Sequence, residues 1–208
     1  MIGIYGGTFN PVHNGHLRSA LEIKAQLGLR EVRMIPCRLP SHRQQPDVSG
    51  EVRLQMLQLG IAGCDGLVAD RCELDRDGPS YMVDTLADLK ARIPTEPLLL
   101  MMGQDAFLGL ERWYRWTALF DFAHVVVMTR PGYRVGLLSP SLQDRLFMHP
   151  EQLGRRDSGG LWFQSVTELD ISSSAIRDLL KRAGDIRYLV PDPVLDFIKQ
   201  HGLYRSIS

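Results

Sequence analysis

Residues 6 to 16 read GGTFNPVHNGH, directly behind the apolar start MIGIY. The segment brings together a glycine pair, Gly6 and Gly7, and two histidines three apart, His13 and His16, with Gly15 between them. Glycines at the end of a buried strand let the backbone turn tightly and approach a ligand. A helix starting behind them presents free amides and the positive end of its dipole, which suits phosphate oxygens. Residues three apart on a helix share a face, so both imidazoles can point toward that anion position and donate to it, protonated or neutral. No Gly-Lys-Ser/Thr follows at Walker A spacing and the G-x-G-x-x-G fingerprint is missing, so the histidines must do what lysine does in other phosphate loops. The plainer alternative is that His13 caps a helix, His16 packs in the core and the glycines serve only the turn. For one histidine that alternative would prevail; two at this spacing behind a strand-ending glycine pair favour the anion site.

A second phosphate grip is spelled by ISSSAIRDLL at residues 171 to 180. Serine before a helix is ordinarily only an N-cap. Arg177, expected in the first turn, opposes the dipole preference for acids there unless an anion compensates it. Serine hydroxyls from Ser172 and Ser173, helix amides and a guanidinium fork together make a clamp for a triphosphate tail.

These segments need a scaffold, and the rest of the chain supplies its pattern. MIGIY, HLRSALEIKAQLG and EVRMIP read as strand, helix and strand, with Gly28 ending the helix. GEVRLQMLQLGIAG then reads as helix, LVAD as a short strand, SYMVDTLADLKARI as a helix with Ser80 as its N-cap, and PLLLMMG and AHVVVMT as buried strands. LWFQSVTELD suggests one more strand, and two helical segments follow it. Continuous apolar strands separated by helices predict an α/β fold, a Rossmann-like parallel sheet with helices on both faces, whose ligands sit beyond the carboxyl ends of the strands. Residues 133 to 160 are irregular and too short for a second domain, so residues 1–208 are expected to form a single domain.

Twenty-four acidic and 24 basic residues cancel, so no global field recruits nucleic acid or an anionic membrane, and any anion must be held by local grouping. Neither a signal peptide nor an apolar run long enough to span a membrane is legible, which points to a cytoplasmic protein. Cys37, Cys64 and Cys72 form no metal or redox spacing and read as buried or idle thiols.

Taken together, GGTFNPVHNGHL and ISSSAIR resemble the two signatures of the HxGH nucleotidyltransferase superfamily, in order and at opposite ends of the chain. The intervening PSHR, DGPSYMVDTL, MGQDAF, RWY and TRPG and the terminal HGLY resemble its nicotinate-nucleotide adenylyltransferase branch, so the likeness runs over nearly the whole length. Asn10 stands where that branch commonly has Asp, Ser41 and Arg43 occupy a loop often written Pro-Pro-His-Lys, and Ser174 replaces a frequent Thr.

The resemblance implies transfer of the adenylyl group of ATP to nicotinate mononucleotide, with release of pyrophosphate. It implies His13, His16 and Arg177 as charge-stabilising catalytic residues. ATP would be bound by Gly6, Gly7, Thr8, Phe9, Ser172, Ser173 and Arg177, with His42 and Arg43 as a second set and Arg130 as a weaker candidate. It places nicotinate mononucleotide at Trp113 and Tyr114, with Thr85 near the nicotinate carboxylate; Asp105, just past an apolar strand, stands at the sheet's carboxyl end, where a carboxylate can take ribose hydroxyls or substrate. Mg²⁺ would travel with ATP, as that ion keeps phosphate and water ligands. The nucleophile is a phosphate monoester with a second pKa near about 6, so no strong base is required at neutral pH. Read without the resemblance, PSHR is as readily an exposed polar loop, the tryptophan-tyrosine patch as readily packing, and Asp105 as readily a helix N-cap.

The expected partners are small molecules, with no nucleic acid and no membrane, and a homo-oligomer is left open. Nearby alternatives are the same chemistry on another phosphorylated acceptor and a nucleotide-binding regulator without turnover. A dinucleotide-using oxidoreductase lacks its glycine fingerprint.

Overall fold

The computed structural model describes residues 1–39, 46, 48–167 and 169–205. Six strands, β1 (Ile2–Gly7), β2 (Glu31–Pro36), β3 (Leu67–Ala69), β4 (Leu98–Gly103), β5 (Ala123–Thr129) and β6 (Leu161–Ser165), form one sheet in the order β3-β2-β1-β4-β5-β6. Every neighbouring pair is parallel. The chain moves outward from β1 to β3 and then continues on the other side of β1. The carboxyl ends of β1 and β4 therefore flank the topological switch point, where open α/β sheets bind their ligands.

Among the described residues eight helices connect and cover the strands: α1 (Asn14–Gln26), α2 (Gly50–Ile61), α3 (Met82–Arg92), α4 (Gln104–Leu108), α5 (Leu119–Phe122), α6 (Pro140–Gln143), α7 (Ser173–Lys181) and α8 (Asp192–Gln200). Alternation along the strands sorts the core into two layers. On β4, Leu98, Leu100 and Met102 join Ile2 and Ile4 against α3, α5 and α6, whereas Leu99 and Met101 join Val126 and Met128 against α1, α2, α7 and α8. Both faces are thus dry, as the continuous apolar strands predict. Among the described residues no helix is long and apolar enough to cross a membrane.

The expected N-cap of α3 is corrected. Tyr81, not Ser80, occupies the capping position and makes no side-chain cap bond. Ser80 instead accepts a hydrogen bond from the Arg38 amide at 3.0 Å, because the chain entering α3 lies against the strand-to-helix segment after β2. The irregular stretch before β6 holds only α6 and a 3₁₀ segment, Pro150–Gly154. His124 on β5 ties this stretch down: its Nδ1 accepts from the Gly160 amide and its Nε2 donates to the Arg156 carbonyl, both at 2.9 Å. Burial holds that imidazole below its ordinary pKa. The three cysteines are free and half-buried, and burial first, then nearby Asp70, pushes Cys72 up to about 12.

Candidate active site

Gly6 and Gly7 do not make the turn expected of them; they are the last residues of β1, paired in register with Ile35 and Pro36. Their missing side chains serve close packing. A Cβ on Gly6 would overlap the Met82 methyl, and one on Gly7 would come within 3.0 Å of the Phe9 ring. The left-handed residue of the turn is Phe9, at φ 46°. Its ring is buried and packs edge-on against His16, with centroids 5.1 Å apart.

The two histidines meet, though not as neighbours on one helix face. His13 is the N-cap of α1 in extended backbone conformation, and its Nδ1 accepts from the His16 amide at 3.4 Å. The imidazoles stack at a centroid distance of 3.6 Å and an interplanar angle of 23°. Gly15 makes this possible: a Cβ there would stand 3.1 Å from His13 Nδ1. The capping role of His13 is thus observed, and it leaves the Nε2 edge of the ring outside the cap bond.

Charge on both rings at once is strongly disfavoured by this spacing. Burial pulls His13 down to about 4, and burial together with the charge of His13 holds His16 well below the usual histidine range. Both are neutral near pH 7. With Nδ1 of His13 accepting, its proton resides on Nε2, which is then the donor available to a ligand. His16 Nδ1 is buried and has no hydrogen-bond partner among the described residues.

The late serine motif folds back on this point. Ser172 caps α7 by accepting from the Ala175 amide at 3.1 Å, so its hydroxyl oxygen plays the ordinary helix role. Ser173 Oγ donates to the Pro11 carbonyl at 2.9 Å. Arg177 is the fifth residue of α7 rather than a first-turn residue. Its long side chain leans back toward the helix start and donates to the Asn10 carbonyl at 2.8 Å and the Ser174 hydroxyl at 3.4 Å. Asn10 is itself buried and accepts from the Tyr204 hydroxyl at 2.6 Å. Residues 162 and 167 positions apart are thus joined around the loop that carries His13.

On the other flank, Thr85 is fully buried. Its hydroxyl donates to Glu73 at 2.7 Å and accepts from Arg76 at 2.9 Å, and its amide donates to the Tyr81 carbonyl. The Thr85 amide is therefore already engaged, as is that of Asp84, which donates to the same carbonyl at 3.1 Å; at the start of α3 the amides of Met82 and Val83 are the ones with no acceptor within the helix. Burial raises the pKa of Glu73. Tyr114 is half-exposed and stacks on Tyr81, with centroids 4.4 Å apart, while Trp113 is half-buried against the α3 layer. The aromatic patch and the start of α3 are thus one surface. Asp105 is exposed in the first turn of α4, just past the carboxyl end of β4, and the N-cap there is Gly103 instead. Arg130 follows β5 directly. His42 and Arg43 lie outside the described residues.

Sequence reasoning missed three contributors. Arg53 on α2 is buried and donates to the carbonyls of Thr8 at 2.7 Å and Cys37 at 2.6 Å. Glu73 organises Thr85, and Tyr81 completes the aromatic surface. A lone arginine or glutamate carries no local signal of burial; only Tyr81, within SYMVDTL, could have been suspected. An open cavity of about 390 Å³ along α1, lined by Arg18, Glu22, Ala25, Gln26, Pro131, Ser165, Val166 and Thr167, contains none of the residues singled out from the sequence.

Comparison with known proteins bears on this site as a whole. Residues 4–179 match the cytidylyltransferase-like family. A protein of Methylococcus capsulatus named probable nicotinate-nucleotide adenylyltransferase is 47% identical over 98% of this chain and 99% of its own. One of the same name from Marinomonas sp. is 43% identical, over 98% and 94%. The nicotinic acid mononucleotide adenylyltransferase of Plasmodium falciparum, solved with NaAD, superposes with a TM-score of 0.75 at 18% identity, covering 98% of this chain and 96% of that one. The stacked histidines, the serine-arginine return and the Rossmann-like sheet therefore sit in a chain that belongs to the cytidylyltransferase-like family and, within it, to the nicotinate-nucleotide adenylyltransferases.

Proposed function

We propose that this chain transfers the adenylyl group of ATP to nicotinate mononucleotide, yielding nicotinate adenine dinucleotide and pyrophosphate. The observation that carries the chemistry is the neutral, stacked pair His13 and His16 at the N-terminus of α1, beside the switch point of the sheet. The acceptor phosphate is already ionised at neutral pH, so the protein's task is to hold two anions in line and neutralise charge developing on the α-phosphate and the leaving pyrophosphate. The α1 amides, an Nε2 proton on His13 and the remaining N–H groups of Arg177 supply donors there without a general base. Ser172, Ser173, Thr8, Arg130, His42 and Arg43 complete the proposed ATP side.

Acceptor recognition belongs to the surface at the start of α3. An electron-poor pyridine ring suits the faces of Tyr114 and Trp113, and the amides of Met82 and Val83 at the start of α3 suit a carboxylate. Met82, the first residue of α3, packs against Gly6 at the end of β1, so this surface adjoins the reaction centre. Asp105, beyond β4, is placed to accept from substrate hydroxyls. A carboxamide would present a donor where these amides require an acceptor, a mismatch worth about 1 to 3 kcal/mol.

Among the described residues no group of three or more His, Cys, Asp or Glu side chains is arranged to hold a metal. The donor set fits Mg²⁺ carried on the triphosphate, where it neutralises phosphate charge. The chain is read as one cytoplasmic domain acting on small molecules, supported by its single sheet and by the return of Arg177 and Tyr204 to residue 10.

The test is pyrophosphate release from Mg-ATP with nicotinate mononucleotide, nicotinamide mononucleotide and phosphopantetheine in parallel. Preference for the first is expected. Release with another acceptor instead would overturn the assignment of the α3 surface, and ATP binding without release would leave a nucleotide-binding regulator.

A further inference from the structure

Arg53 is only 1% exposed, yet among the described residues none of its hydrogen-bond acceptors is a carboxylate. Its guanidinium reaches main-chain carbonyls near both ends of the segment between β2 and α2: Cys37 at 2.6 Å and Arg38 at 3.5 Å just after β2, and Val48 at 3.3 Å just before α2. The remaining bond, 2.7 Å to the Thr8 carbonyl, enters the turn between Gly7 and Phe9 that leads to the stacked histidines. Burying a cation is costly unless its donors are satisfied, and three separate stretches of backbone are needed here to satisfy them. Only a planar fork can span such an arrangement; an ammonium group is a point donor.

We propose that Arg53 is a positioning residue for adenylyl transfer, fixing the backbone at Thr8 and at Cys37–Arg38 so that the turn before His13 is held ready for the reacting phosphates. This rests on the reading of the site given above. The cation also leaves positive charge beneath a pocket for polyanions, close enough to buried Glu73 and Cys37 to influence both electrostatically. Thr8, through its carbonyl, is the group through which Arg53 acts; Arg53 does not itself contact substrate.

The experiment compares the wild-type chain with Arg53→Lys and Arg53→Ala, measuring amide hydrogen exchange at residues 7–10 and 37–39, the thermal midpoint, and kcat and KM for pyrophosphate release. The Lys variant should exchange faster at those amides while β4 and β5 remain protected. Its kcat per folded molecule should fall by up to about 10²-fold, the scale of a misplacement of about 1 Å, with a smaller change in KM. Added guanidinium, but not sodium at equal ionic strength, should restore part of the kcat of the Ala variant. Unchanged exchange at residues 7–10, or a normal kcat per folded molecule in the Lys variant, would overturn the role, including when the Ala variant fails to fold. If the wild-type chain releases no pyrophosphate, the proposed function fails by itself, and the exchange measurement still decides whether Arg53 holds the turn.

Discussion

The two flanks of the site are built on opposite principles. Around His13 and His16 the side chains are buried and stacked, and Arg177, Ser173, Tyr204 and Arg53 brace the loop by bonding its backbone or Asn10. At the start of α3 the outer layer is exposed Tyr114 against half-buried Tyr81, and order lies one layer deeper, in the Glu73, Thr85 and Arg76 network. The contrast fits the division of labour in phosphoryl transfer. Charge developing in the transition state requires donors fixed before the reaction, whereas an aromatic ring can be gripped by faces that tolerate small displacements.

The largest effect that would sharpen this contrast is expected at the braced flank. His16→Ala should lower kcat by about 10²- to 10³-fold, the scale of losing one preorganised donor, while the thermal midpoint falls by only a few degrees. Loss of turnover in step with loss of folding, seen by comparing rate with melting, would remove His16 from the chemistry.

Acid should attack the same flank. Histidine in an unfolded chain titrates near about 6.5, whereas burial lowers His13, His16 and His124 in the folded protein. Protons therefore favour the unfolded chain, and the stability contributed by these neutral rings is full above pH 6.5 and lost as pH falls toward about 4. The His13 part alone is on the order of 3 kcal/mol. Melting curves from pH 7.5 to 4.5 should show the decline, and His13→Asn should flatten it; an unchanged slope in that variant would mean the His13 ring is solvated.

Substitution beneath the aromatic surface should cost less. Thr85→Val leaves Glu73 and Arg76 each short of a partner, which should destabilise the fold by about 1 to 3 kcal/mol in denaturant titration. The smallest expected change is at the open surface: Tyr114→Ala should raise KM for nicotinate mononucleotide by roughly three- to tenfold and leave kcat nearly intact. A collapse of kcat there would erase the distinction between the flanks.

Much of the fold was legible because apolar runs and helical periodicity are local. LLLMMG and AHVVVMT predicted two central strands, and both are buried on two faces. The site was legible in part. His13, His16 and Arg177 announced themselves by type and spacing, and the structure draws them to one loop. Their detailed roles were not legible: Gly6 and Gly7 belong to the strand, Phe9 makes the left-handed turn, and Ser80 bonds the Arg38 amide rather than capping α3. Each of these depends on a neighbour distant in sequence, such as Met82 against Gly6.

By itself, then, the amino-acid sequence determined the alternation of strands and helices, the residue types at the candidate site and the family to which their spacing belongs, because hydrophobic period and motif spacing are properties of neighbouring residues. Only the tertiary structure decided the protonation of the histidines, the bond from Arg177 to Asn10 and the burial of Arg53. Desolvation and long-range hydrogen bonding arise from what packs around a group, and that environment is assembled from segments up to 194 residues apart along the chain.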